Sequence, residues 1–310
     1  SEIEMETKHS APDYIFVVGV PRTGTKLLTN ILNGATQVHC AISSETHFVG
    51  EFIGQGGRGQ MHRMGSMDDD ANVSKLVEAM FTEQFAGNYW RQLADGRLGV
   101  KREELLQALL KSDRSDREIY RILLRISPKV TDTSIAGDKT PTHLFHVPTL
   151  LQWFPRAKII HTFRDPRAIH VSQIKKARDS GVRGLQIPFK PGTHAFNMSL
   201  FVYTMSGWMR AASLHNDYRK QYPDQYYLIQ FEQLVTDPAG SLEPLCRFLN
   251  IPLEPSMLMP LRSGSSYKSG KSGSGFDQEA LTRWQNYIGP ATNQIYKIVA
   301  GKYMREFGYV

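Results

Sequence analysis

The chain has 310 residues, 41% hydrophobic and 22% charged, which suits one large α/β unit with a substantial buried core and argues against a disordered or fibrous protein. No stretch approaches the roughly 18 to 20 apolar residues of a membrane span, the N-terminal SEIEMETKHSAPD has no apolar signal core, and Cys40 and Cys246 make neither a disulfide framework nor a metal-ligand spacing, so a cytoplasmic protein is expected. The formal charge of +7 and pI near 9.3 favour a polyanionic ligand, and the dispersed basic residues lack the tract or aromatic-interleaved stripe expected of a nucleic-acid binder.

The first predicted element is a strand at Ile15 to Val18, β-branched and aromatic without a polar break, as a strand buried on both faces should be. It runs into Gly19-Val20-Pro21-Arg22-Thr23-Gly24-Thr25-Lys26-Leu27. Two glycines permit a tight loop whose amides converge on one point, and the apolar run Leu27 to Leu32 predicts a helix with its positive end facing that point. The Gly19-x4-Gly24 spacing is that of a nucleotide-triphosphate loop, but such a loop ends Gly-Lys-Ser/Thr, and its last hydroxyl holds magnesium. Here Leu27 follows Lys26, so the loop fits an anion without a metal.

Residues 54 to 65 are Gly-rich and irregular and lead, past the acidic Asp68 to Asp70, into an inserted helical region of about 54–130. This region is expected to cover the acceptor side of the cleft. A helix around His146 to Phe154 precedes a second buried strand, Lys158 to Phe163. That strand ends in Arg164-Asp165-Pro166-Arg167, then a helix carrying Ser172. Asp165 suits a helix cap and Pro166 a first turn. Arg164 and Ser172 are placed to reach a second anion. One long helix follows from His194 to Tyr222, with Gly207 as its weak point, and a strand at Tyr226 to Phe231 returns to the sheet. Beyond it the chain reads as helical to its end, interrupted by SGSSYKSGKSGSG at Ser263 to Gly275, either a plain linker or a lid over a bound ligand.

Two anion motifs at two strand ends resemble the 5′-phosphosulfate loop and 3′-phosphate motif of the sulfotransferases that use 3′-phosphoadenosine 5′-phosphosulfate. Further segments look similar to that family in the same order: ETHF at Glu45, GDKTPTHL at Gly137, LIQFEQLVTDP at Leu228 and FDQEALTRWQNYIG at Phe276. The resemblance is strongest to bacterial and tyrosylprotein sulfotransferases. It implies a single α/β domain over 1–310, a P-loop-like central parallel sheet flanked by helices, with a nucleotide lid at about 263–275. The implied activity is sulfuryl transfer to a hydroxyl, or an amine, of a small-molecule acceptor. 3′-Phosphoadenosine 5′-phosphosulfate would be donor and adenosine 3′,5′-bisphosphate product, with no metal, nucleic acid or membrane partner. A protein tyrosine is the alternative acceptor. A P-loop nucleotide kinase and a non-enzymatic polyanion-binding module are the rival functions.

By the same resemblance, Arg22 and the amides of Thr23, Gly24, Thr25, Lys26 and Leu27 would hold the 5′-phosphosulfate. Arg164 and Ser172 would take the 3′-phosphate, Ser266 and Lys268 would reach the nucleotide from the lid, and Arg283 of the Thr-Arg-Trp segment would add charge near the phosphates. Lys139 corresponds to the family lysine that touches the leaving oxygen. Three residues compete for the base that takes the acceptor proton: Glu45, similar to the catalytic Glu of the tyrosylprotein enzymes, its neighbour His47, and His143, four residues after Lys139. The family often has Tyr at the position of Phe231, so a hydroxyl contact from that site is absent.

Overall fold

The computed structural model describes residues 11–39, 45–54, 59–82, 85, 87–180, 187–260 and 273–310. Among them a parallel sheet forms from β1 (Tyr14–Gly19), β2 (Val38–His39), β3 (Ile135–Lys139), β4 (Lys158–Phe163) and β5 (Tyr226–Gln230), in the spatial order β2-β3-β1-β4-β5. β1 is central, and every one of its residues is buried. Its alternation serves two layers at once. Tyr14, Phe16 and Val18 join one apolar core, and Ile15 and Val17 join the other.

The second layer is made by α1 (Thr25–Leu32), through Leu28, Ile31 and Leu32, and by two helices after β5, α9 (Phe231–Thr236) and α10 (Pro238–Leu249). The first, larger layer contains the helices between β2 and β3: α2 (Asp70–Phe81), α3 (Asn88–Ala94), α4 (Arg102–Leu110) and α5 (Asp116–Arg125). It also takes in α6 (Val147–Trp153), α8 (His194–Gln221) and α12 (Pro290–Glu306); α7 (Pro166–Ser180) follows β4, and α11 (Glu279–Thr282) lies before α12.

Four details differ from the sequence reading. The helix expected around His146 starts as a 3₁₀ turn at Pro141–His146 and becomes α-helical only at Val147. Gly207 does not weaken α8, which runs unbroken for 28 residues; a Cβ there would meet only Val20 Cγ1, at 3.9 Å. Phe231 opens α9 rather than closing β5. Among the described residues after β5, helices alternate with turns before α12, and prolines at 238, 255 and 290 restart the backbone at helix N-termini. The segment 261–272, with Ser266 and Lys268, lies outside the described residues.

In an open parallel sheet, ligands sit beyond the carboxyl ends of the strands where the connections diverge to either side. That place here is the end of β1, flanked by the ends of β3 and β4.

Candidate active site at the carboxyl edge of the sheet

The β1–α1 loop is shaped by its backbone. Arg22 has φ 79° and Gly24 has φ 97°, a region costly for any side chain larger than glycine. Gly24 is also sterically required: a Cβ there would lie 2.5 Å from Cδ2 of Phe231. The side chain of Thr23 belongs to the scaffold, since its hydroxyl donates to the Val20 carbonyl at 2.9 Å and lies 2.7 Å from the Thr162 hydroxyl on β4. Thr25 opens α1 and is buried, and no acidic residue stands in the first turn to repel an anion. Leu27 packs on the second core, where a triphosphate loop would present its magnesium ligand. Burial lowers the pKa of Lys26, the neighbouring Lys139 lowers it further, and Glu45 opposes both.

The β4–α7 corner meets this loop directly. Arg22 Nε donates to the Ser172 hydroxyl at 2.9 Å, and Arg164 Nη1 donates to the Arg22 carbonyl at 3.2 Å. Arg164 Nη2 donates to the Ala280 carbonyl at 2.9 Å, and its guanidinium lies 4.0 Å from the Phe231 ring centre. Its Nε is buried with no hydrogen-bond partner among the described residues. Burial lowers the Arg164 pKa to about 10 against the pull of Glu232, which leaves it charged at neutral pH. Asp165 caps α7 by accepting from the Arg167 amide at 2.8 Å. The Arg167 guanidinium chelates the Asp165 carboxylate, reaches Asn293 Oδ1 and the Tyr309 carbonyl, and stacks on Trp284. Arg167 therefore fastens the C-terminal segment, whereas Arg164 holds an unused donor. Arg283 pairs with Asp277 at 3.0 Å and Glu279 at 3.6 Å, near enough to Arg164 to act on its pKa.

The third component gathers at the end of β3. Lys139 is buried, and its Nζ donates to Glu45 Oε1 at 2.6 Å. Glu45 Oε2 lies 3.3 Å from His47 Nε2, and His47 Nδ1 lies 3.6 Å from Glu51 Oε1. Burial pushes the Glu45 pKa up, but the hydrogen bond from His47 and the charge of Lys139 prevail and hold it at about 2. His47 is raised: burial opposes its charge, and the carboxylates of Glu45 and Glu51 outweigh that.

His143 is placed differently from what its position in the motif suggests. It is fully buried, its Nε2 accepts from the Val49 amide at 3.1 Å, and its Nδ1 faces Asp138 Oδ2 at 3.2 Å. No lone pair remains for an acceptor proton, so the structure removes His143 from the contest for the base.

The sequence reading missed Asp138, Thr140, Thr46 and Glu51. Asp138 is buried on β3 and accepts from the hydroxyls of Thr46 at 2.7 Å, Tyr120 at 2.8 Å and Thr140 at 2.8 Å. The available signal was a carboxylate inside a stretch, Ile135 to Lys139, that had to cross a buried sheet.

A sequence model described as the Sulfotransferase family matches residues 12–255. The chain is 27% identical over 257 residues to omega-hydroxy-beta-dihydromenaquinone-9 sulfotransferase Stf3 of Mycobacterium bovis, covering 76% of this chain and 62% of that protein. It is 25% identical over 246 residues to protein-tyrosine sulfotransferase 1 of Danio rerio, covering 79% of this chain and 55% of that one. The chain thus spans less than two thirds of the length of these relatives. The sulfotransferase domain from the Synechococcus PCC 7002 olefin synthase superposes with a TM-score of 0.59 at 20% identity, covering 97% of each chain, and shares the fold. With the matched segment containing the β1 loop, Glu45, Lys139 and the Arg164 corner, the chain belongs to the sulfotransferase family.

Proposed function

We propose that this chain is an enzyme that moves the sulfuryl group of 3′-phosphoadenosine 5′-phosphosulfate to a hydroxyl of a small acceptor. The observation that carries the reading is the meeting of two anion corners and one Lys139–Glu45 pair at a single edge of the sheet. The free Nε of Arg164 and the N-terminus of α1, with no acidic residue in its first turn, suit the two phosphate-like ends of that donor. The donor supplies an electrophilic sulfur and a phosphate leaving group. Arg22, with the amides of residues 23 to 27, binds the 5′ end, and Arg164 with Ser172 binds the 3′-phosphate. Arg283 adds positive charge beside them.

Lys139 has two competing partners in this scheme. It holds Glu45 until a donor is bound, then turns its ammonium to the leaving oxygen, which needs stabilisation as the sulfur–oxygen bond breaks. Released from Lys139, Glu45 Oε1 regains basicity and takes the acceptor proton as the oxygen attacks in line. His47 keeps Oε2 fixed. No metal is needed, because a sulfuryl group carries less charge than a phosphoryl group and the cations at hand match it.

A small acceptor is favoured by the exposed apolar side chains of Met198, Val202 and Tyr203 on α8. Tyr203 lies near enough to Glu51 for that carboxylate to raise its pKa, after burial, so this face borders the same mouth and suits the apolar part of an alcohol. The family relative named for a hydroxylated menaquinone is in keeping with that choice. With two cysteines in the chain, a cytoplasmic setting fits; among the described residues no helix is long and apolar enough to cross a membrane.

The deciding experiment is transfer from labelled donor to phenols, alcohols, amines, sugars and tyrosine peptides without magnesium. Glu45→Gln should depress turnover by about 100-fold or more with bisphosphate affinity nearly intact. Lys139→Ala should lose turnover and some affinity. A Glu45→Gln enzyme with most of its activity, beside an inactive His47→Ala, would pass the base to His47. Transfer to peptides alone would make tyrosine the acceptor.

A further inference from the structure

Glu45 lies outside the sheet and just before a short π-helical turn, Phe48–Phe52, so side chains must help to fix its backbone. The carbonyls of His47 and Phe48 accept from the Phe52 and Ile53 amides, and His47 adopts φ 49°. The four consecutive amides of residues 46 to 49 are each taken by a side chain. Those of Thr46 and His47 donate to the Thr140 hydroxyl at 3.1 and 3.3 Å. That of Phe48 donates to the Thr46 hydroxyl at 3.3 Å, and that of Val49 to His143 Nε2 at 3.1 Å. Thr140, Thr46 and His143 in turn converge on one atom, Asp138 Oδ2. We infer that Asp138 is a positioning residue for the reaction: through three side chains it suspends residues 46–49 and thereby holds the Glu45 carboxylate between Lys139 and His47.

Stability alone gives a poor reason for this carboxylate. It is 1% exposed, and its second oxygen, Oδ1, has no hydrogen-bond partner among the described residues. A buried anion with an unused acceptor is costly, and apolar packing of the same volume is often as stable. What apolar packing cannot do is accept the hydroxyl protons that turn the lone pairs of Thr140 and Thr46 toward the amides. The hub also shares its strand with Lys139, the next residue on β3, so one short stretch fixes both the proposed base and its cationic partner. The groups facing Glu45 across this cluster are Lys139 and His47, with Arg22 and Lys26 more distant.

This inference rests on Glu45 being the base, and the test separates the two. Thr140→Val removes the acceptor for two amides while keeping shape, and Thr140→Ser restores the hydroxyl. Tyr89→Phe, which deletes a buried hydroxyl bonded at 2.9 Å to the Leu123 carbonyl, controls for general loss of stability. In single-turnover transfer, Thr140→Val should fall by roughly 10- to 100-fold with unchanged bisphosphate affinity, as expected for a misplaced reacting group. The acidic limb of its kcat/KM profile should move to higher pH, because a loosened Glu45 loses the cations that hold its pKa down. Thr140→Ser should recover both, and Tyr89→Phe should change neither. If Thr140→Val does not fold, Thr46→Val asks the same question through the Phe48 amide. A Thr140→Val enzyme with wild-type rate and pH limb, alongside an inactive Glu45→Gln, overturns the inference and leaves the base in place. Failure of Thr140→Ser to recover also overturns it. An active Glu45→Gln removes the base and the inference together.

Discussion

The β1–α1 loop and the β4–α7 corner touch each other through Arg22, yet they are built by opposite means. In the loop the backbone does the shaping: positive φ at Arg22 and again at Gly24, a Gly24 pressed against Phe231, and a Thr23 hydroxyl spent on holding the loop to β4. In the corner the side chains do it: Asp165 and Arg167 lock the turn and the C-terminal segment, and Arg164 is threaded between Phe231 and the Ala280 carbonyl. The difference teaches where each corner is vulnerable. A backbone cradle fails when its φ values or close contacts are disturbed, whereas a side-chain corner fails when a buried charge loses its partner.

The largest effect should come from the corner. Asp165→Ala leaves the Arg167 guanidinium buried without its chelating carboxylate and should cost about 3 to 5 kcal/mol of stability, read by urea denaturation. A loss below about 1 kcal/mol, the value of a solvated pair, would mean the corner is not side-chain built. Arg164→Ala comes next and should act on ligand rather than fold. Binding of adenosine 3′,5′-bisphosphate, by calorimetry without magnesium, should weaken by on the order of 2 kcal/mol or more. AMP binding should change much less; equal losses for the two nucleotides would detach Arg164 from the 3′-phosphate. The smallest effect belongs to the loop. Arg22→Gly and Arg22→Ala both remove the guanidinium, but only alanine keeps the strained φ, so the glycine variant should be more stable by about 1 kcal/mol. Equal melting temperatures would show that the loop stores no backbone strain at that position.

The two corners were legible in the sequence to different depths. The loop announced itself by an apolar strand, two glycines at fixed spacing and an apolar helix, all within a few residues, and local rules sufficed. At the corner the same rules found the strand and the Asp165 cap and marked Arg164 and Ser172 as candidate anion ligands, but they could not divide the labour between Arg164 and Arg167 or show that Ser172 bonds Arg22. That division depends on Trp284, Asn293 and the Tyr309 carbonyl, far along the chain. The surroundings of His143, the weaker alternative to Glu45, were hidden for the same reason. Its spacing from Lys139 was visible, but its burial against Val49 and Asp138 was not.

The sequence by itself determined the alternation of buried strand, glycine-bounded turn and helix, because hydrophobic period, glycine and capping residues act over a few positions. It also determined the chemical cast: an arginine and a lysine in the first loop, an arginine and a serine at the second, and Glu45 and Lys139 as separate marks on the line. Only the tertiary structure decided that Glu45 and Lys139 meet at 2.6 Å, that Arg22 bridges to Ser172, and that Asp138 gathers the hydroxyls behind them. Those contacts join residues 92 to 150 positions apart, except for the Thr140 and Tyr120 hydroxyls. Parallel sheet pairing brings such residues together at the carboxyl ends of neighbouring strands, and no local rule of sequence reaches that far.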